Sequence, residues 1–264
     1  MRKLILVSLF FCTSSFAQES SRHWEALKES FTLLAKGSYM QFTQINNLGY
    51  AALATPSLII AAKEDDRLAN HYRGQNISNM VDLVGDLSVV LNQPFFPAAI
   101  YFLGDHKKNS HTVQFAKELF AATYLALGES GLLSFIDIHK RPSTEQLSFW
   151  EKSFRGDSSF PSGHVIPYQV LFFKTLQFYG PAWSVIPLGL SVVASMQRVQ
   201  DRKHYVSDVV GSFFLSAFAS EGVRAAADYS GNHAFYKRFF ERSDMQVGIL
   251  RYQEAIGPMV SFKY

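Results

Sequence analysis

Ser159-Phe160-Pro161-Ser162-Gly163-His164 leads straight into the apolar block Val165–Phe178. A proline that closes a loop, a serine suited to capping and an apolar run too long for an ordinary strand together predict the start of a helix. Working outward, comparable blocks cover Leu48–Ala62, Met80–Leu91, Pro97–Leu103, Val113–Ile138, Ala182–Met196 and Tyr205–Ala225. Their lengths favour helices, and turn residues or charges separate them at Asn92-Gln93-Pro94, Gly104–Ser110 and Gly180-Pro181. The longest loop runs from Lys140 to Pro161. The expected fold class is therefore all-α, a helical bundle. The tail is compatible with a short β-hairpin, because residues Met245–Tyr264 show partial period-two alternation around the break Gly257-Pro258.

A chain of 264 residues, 48% apolar and only 18% charged, is able to bury one sizeable core. Basic Arg2-Lys3, the apolar run Leu4–Phe11 and small residues at Ser15 and Ala17 read as a cleavable signal peptide over residues 1–17. A polar amphipathic lead is expected over 18–44, a helical domain over 45–240 and a separate tail over 241–264. Arg2 and Lys3 leave with the leader, so 23 of the 25 basic residues face 22 acidic ones, and no nucleic-acid footprint remains. Cys12 is the single cysteine, which excludes disulfides, thiol catalysis and cysteine-based metal sites from the processed chain. Thr175–Gln197 is uncharged and long enough to span a bilayer, whereas Asp86, Glu118, Glu129, Asp137 and Lys174 interrupt other blocks. Both a water-soluble and a membrane-embedded bundle fit that pattern.

Three segments carry chemistry. Lys140-Arg141-Pro142 by itself reads as a cation at a helix end. Pro161-Ser162-Gly163-His164 is either a plain helix start or a phosphate cradle, with free N–H groups, a hydroxyl and an imidazole side by side. His204 and Asp208, four apart, share a face if both are helical; the pair is either a surface ion pair or a nucleophile with the carboxylate that orients it. Asp82 and Asp86 are also four apart, but no histidine follows at ligand spacing. His71, His106, His111, His139 and His233 lie in polar stretches and read as solvated.

With average residue usage, the second and third patterns arise together in fewer than roughly one chain in ten thousand. At these motifs the chain resembles the type 2 phosphatidic acid phosphatase and vanadium-haloperoxidase superfamily, over about residues 113–226. The resemblance implies His204 as nucleophile, Asp208 as its orienter and His164 as the acid for the leaving oxygen. It implies Arg141, Arg198, Ser162 and Gly163 as holders of the phosphoryl oxygens, with no metal or other cofactor and with vanadate as an inhibitor.

Two positions depart from the family pattern. Ser134 stands where the family has lysine, two helical turns before Arg141 if the helix continues, and Gln197 stands where it has serine. Ser134 offers a hydrogen bond without charge, and Arg155, Lys152 or Lys203 would replace the missing cation, Arg155 being preferred for its bidentate fork. The implied activity is metal-independent hydrolysis of phosphate monoesters or diphosphates, of a lipid or a small ester, on the extracytoplasmic or periplasmic side with membrane association. The alternatives are a vanadium-dependent haloperoxidase and a non-catalytic phosphate- or lipid-binding module. For the leader, the expected outcome is a processed chain beginning at or near Gln18, read by N-terminal sequencing of the extracytoplasmic fraction; full-length chain in the cytosol contradicts it.

Overall fold

The computed structural model describes residues 2–73, 75–143, 156–240, 245–252 and 255–262. Helices α1 (Arg2–Met40), α2 (Ile45–His71), α3 (Asn79–Leu91), α4 (Phe95–His106) and α5 (Ser110–Leu133) come first. A 3-10 turn over Gly163–Val165 then leads into α6 (Ile166–Tyr179), α7 (Pro181–Gln200), α8 (Val206–Ala227) and α9 (Ala234–Phe240). In the tail, β1 (Met245–Tyr252) pairs antiparallel with β2 (Ala255–Phe262), Met245 opposite Phe262.

Local chemistry sets the boundaries. The Ser78 hydroxyl accepts from the Val81 N–H at the start of α3, and the Asn109 side chain accepts from the Thr112 N–H at the start of α5. Gly180, at φ 82°, is followed by Pro181 as the first residue of α7, so the uncharged run Thr175–Gln197 is cut into the end of one helix and the start of another. That run is thus not one span. Among the described residues, α2 and α8 are each long and apolar enough to cross a membrane, and α3 with α4, bent by 71°, would together make a third. The two helices differ in surroundings. The apolar window of α8 is mostly buried, whereas that of α2 faces outward through Leu48, Leu53, Ile59 and Ile60.

The centre of the bundle is α8, packed against α1, α2, α5 and α6. Small residues allow that crowding: a Cβ on Gly222 would lie 2.4 Å from the Gly37 carbonyl oxygen of α1. Leu119, Leu125, Ile166, Val170, Phe178 and Val223 fill the core between α5, α6 and α8.

At one end of this core the fold buries charge. Lys174 Nζ, fully enclosed, donates to Glu118 (2.9 Å), to Gln177 (2.7 Å) and to the Ser220 carbonyl (3.0 Å). Gln114 donates to Glu118, while Gln177 and Arg224 reach Glu221, so the network ties α5 to α6 and α8. Lys174→Met should strand Glu118 as an uncompensated buried charge and cost about 3–5 kcal/mol. Denaturant unfolding checks this, and adding Glu118→Leu should recover part of the loss; a double variant as unstable as the sum of its singles would contradict the pairing.

Candidate active site

The site is built where α5 ends. Ser134 is the residue just past α5; its hydroxyl donates to the Gly131 carbonyl at 2.6 Å and accepts from the Gly156 N–H at 3.0 Å. A Cβ on Gly156 would fall 2.0 Å from the Ser134 carbonyl oxygen, so only glycine fits this approach. The chain is then sewn further: Ser158 N–H donates to the Ser134 carbonyl, and both the N–H and the hydroxyl of Ser159 donate to the His139 carbonyl. The Ser162 N–H donates to the Asp208 carbonyl, and the Ser212 hydroxyl donates to the Ser162 carbonyl. These bonds stretch residues 156–162 between the end of α5 and the start of α8.

The result is a cavity of about 240 Å³ whose wall includes Ser134, Arg141, Gly163, His164 and His204, together with Asn92, Leu127 and Ser159. Five of the sequence-derived candidates thus converge. Gly163 leaves room for a ligand, since a Cβ there would meet nothing nearer than Ser130 Oγ at 3.6 Å. Ser162, Asp208 and Arg198 are buried outside that lining, and among the described residues the Ser162 hydroxyl has no hydrogen-bond partner. Arg155 and Lys152 lie outside the described residues, and Lys203 pairs with Asp201 at 2.7 Å.

Three expectations about local geometry are corrected. Arg141 is not on a helix, because α5 ends at Leu133; Ser134 and Arg141 meet at one cavity through the turn between them, not through two helical turns. Ser162 does not cap with its side chain, and the 3-10 turn intervenes before α6. His204 precedes α8, whose first residue is Val206, so its pairing with Asp208 does not arise from a shared helix face. Instead the Asp208 carboxylate folds back to accept from the Tyr205 N–H at 2.8 Å, and this helix-end bond carries it towards the imidazole.

His204 is 3% exposed. Its Nδ1 lies 2.9 Å from the Ser159 carbonyl oxygen and 3.5 Å from Asp208 Oδ2. A carbonyl only accepts, so Nδ1 carries the hydrogen and Nε2 keeps its lone pair. Burial holds the imidazole pKa below its ordinary value; Asp208 pulls it up, while the positive charges of Arg141 and Arg198 push it down. The ring is a neutral, oriented base or nucleophile at neutral pH.

Other residues join the site without having been foreseen. His139, read as solvated, brings Nδ1 to 3.3 Å from Asp208 Oδ1 and stacks on the Tyr205 ring with centroids 4.0 Å apart. Away from the site, at the start of α5, His111 is also not simply solvated, since it contacts the Tyr229 hydroxyl at 2.9 Å and packs on Phe178. Gln197 accepts from Arg198 Nε at 2.6 Å and donates to Asp82 at 3.0 Å, and a Cβ on Gly85 would collide with it at 2.4 Å. The only signal for these partners is the need of each buried polar group for a mate, which does not name the mate.

Residues 134–230 match the model of the PAP2 superfamily. No curated protein matches it. A similar solved structure is that of a transmembrane PAP2-type phosphatidylglycerolphosphate phosphatase from Bacillus subtilis, 18% identical, covering 67% of this chain and 95% of that one with a TM-score of 0.32.

The lowered pKa of His204 has a consequence for stability. As pH falls through the ordinary value of 6.5, the unfolded chain takes up a proton at this position while the folded chain does not. The unfolded state then binds more protons, so the contribution is fully present above that value and is lost as pH falls towards the folded pKa. Denaturant midpoints between about pH 7.5 and 5.5 should decline less steeply in His204→Gln than in the parent; equal slopes would contradict a buried neutral imidazole.

Proposed function

We propose that this chain is a phosphatase of membrane-associated, lipid-like phosphate esters or diphosphates, acting through a phosphohistidine at His204 without a metal cofactor. The observation that carries the reading is the convergence of Arg141, Gly163, His164 and His204 on one small cavity. The lipid preference is supported by the rim. Leu132 in the last turn of α5, and Phe135, Ile136 and Ile138 on the turn between Ser134 and Arg141, all point outward, Leu132 being 73% exposed. An apolar patch beside a phosphate-sized cavity suits a site that works at a bilayer surface.

In the first step His204 Nε2 attacks phosphorus, the bond from phosphorus to the leaving oxygen breaks, and His164 gives that oxygen a proton. The ring becomes cationic as Nε2 is phosphorylated, and the buried Asp208 carboxylate and the Ser159 carbonyl, both at Nδ1–H, stabilise it. In the second step His164 takes a proton from water, the water oxygen bonds to phosphorus, and the bond to Nε2 breaks to release inorganic phosphate. Arg141, Arg198 and the Ser162-Gly163 backbone supply the fixed positive field for the equatorial oxygens, a role that cations fill in other phosphoryl-transfer sites.

His204→Ala should reduce phosphate release to background, and Asp208→Asn should lower kcat by about two to four orders of magnitude while leaving a measurable rate. Acid-quenched enzyme should carry phosphate on residue 204, turnover should survive excess chelator, and vanadate should block it. Full activity in His204→Ala, or a strict requirement for added Mg²⁺ or Zn²⁺, would overturn the mechanism.

A further inference from the structure

A second cavity, of about 430 Å³, lies between α1, α4 and α5. Its wall is apolar, with Trp24, Leu27, Pro97, Ala98, Phe102 and Phe120 around it. The polar groups that reach it are already engaged with one another: His23 with the Tyr101 hydroxyl at 3.0 Å, Lys117 with Glu29 at 2.6 Å, and the Ser30 hydroxyl with the Ala26 carbonyl. A polar ligand would find few groups in need of a partner there, whereas a hydrocarbon would lose no hydrogen bond.

Two features join this cavity to the phosphate site. On α5, Ala116 and Phe120 line the apolar cavity, Leu127 and Gly131 line the other with Ser134 just past the helix end, and successive spacings of four, seven, four and three residues keep them on one side. The centres of the two groups are then about 20 Å apart along the helix, a distance that suits a long acyl or isoprenoid chain. Across from α5, the elbow between α3 and α4 contributes Asn92 to the phosphate cavity and Pro94 to the apolar one. At the junction the Tyr124 hydroxyl donates to the Asn92 carbonyl at 2.8 Å, and the Tyr124 ring packs on Phe120. Among the described residues the buried Asn92 Oδ1 has no partner; it is an acceptor placed for a hydroxyl on the lipid between phosphate and chain.

We infer that the cavity between α1, α4 and α5 holds the hydrocarbon chain of the phosphorylated lipid whose phosphate lies against His204. The chain passes Asn92 and Tyr124 and enters the bundle beside Phe120. This rests on the phosphatase reading above and adds where the chain goes, and hence that chain length sets substrate preference.

The test is a series of primary alkyl phosphates, from ethyl to hexadecyl, assayed below their micelle concentrations. In the parent chain kcat/KM should rise with length, at most about fourfold per methylene buried, and level off once the cavity is full. Ala98→Trp and Ala26→Trp fill the cavity and should collapse the ratio of hexadecyl to ethyl phosphate by at least about tenfold, with thermal unfolding confirming that each variant is folded. An unchanged ratio in both folded variants would overturn the inference while leaving the phosphatase reading intact. Absence of phosphate release from every ester would overturn that reading instead. Independently of turnover, a hexadecyl phosphate carrying a terminal diazirine should label residues of α1 and α4; labelling confined to α2 or α7 would place the chain elsewhere and overturn the inference even where the filled variants fail to fold.

Discussion

The carboxylate of Asp208 is buried, and the rest of the site is arranged around it. One oxygen accepts from the Tyr205 N–H and lies beside His204 Nδ1; the other faces His139 Nδ1. The backbone of the same residue takes part too, its carbonyl accepting from the Ser162 N–H and the Ser212 hydroxyl. A buried carboxylate is tolerable only when its lone pairs are occupied; here carboxylate and carbonyl of Asp208 together draw partners from three separated stretches of chain. The loop before α8, the turn carrying His139 and the segment leading to Gly163 are thereby held to one point. Loss of that negative charge would leave His204 with a carbonyl alone at Nδ1, able to fix the tautomer but not to offset a cationic ring.

The buried carboxylates of α8 lie near its two ends. Helix α8 carries Asp208 in its first turn and Glu221 near its last, and the stretch between them presents Gly211, Ser212, Ser216 and Ala217 to close neighbours. Thirteen positions of helix correspond to about 20 Å, so the network around Lys174 lies too far from His204 to act on the phosphate. Its role is to fix how α5, α6 and α8 stack, and the register of α8 against α5 in turn fixes where Asp208 meets the turn beyond Ser134. Small side chains on α8 make that register tight, as with Gly211, where a Cβ would meet the Phe160 ring at 2.3 Å.

The residues that converge on the candidate site were legible in the sequence because imidazole, guanidinium and carboxylate side chains are few and stand at short, fixed spacings. Ser162, Gly163, His164, Arg198, His204 and Asp208 stood out by type and spacing, and the all-α class by the lengths of the apolar blocks. What was hidden depended on where helices stop. The block Val113–Ile138 is apolar beyond Leu133, so hydropathy alone extends α5 past its end, and the turn at Ser134 is imposed by hydrogen bonds to Gly156 and Ser158, more than twenty positions away. The break inside Thr175–Gln197, by contrast, was marked by Gly180-Pro181, and Gly180 takes a positive φ there. His139 was invisible for the same reason as the turn at Ser134: its partner is sixty-nine residues distant, and nothing near it in sequence marks it as more than a polar loop residue.

The two departures from the family pattern bear on each other once their partners are known. Ser134 has given its hydroxyl to the helix end and to Gly156, so it tethers the loop and offers the phosphate little. With no cation at Ser134, the proposed phosphate site relies on the remaining guanidinium groups, and a dianion gains more from a fixed charge than from a mobile one. Gln197 meets that need. Its amide oxygen accepts from Arg198 Nε, while its amide nitrogen donates to Asp82 of α3 and to Asp201, so the side chain is held from both sides. A serine at this position is too short to bridge Arg198 to α3, and Gly85 keeps open the space that the longer side chain occupies. Gly85, Asp82 and Gln197 therefore form one unit on the far side of Arg198, and the charge missing at Ser134 is offset in part by the rigidity imposed on the charge that stays.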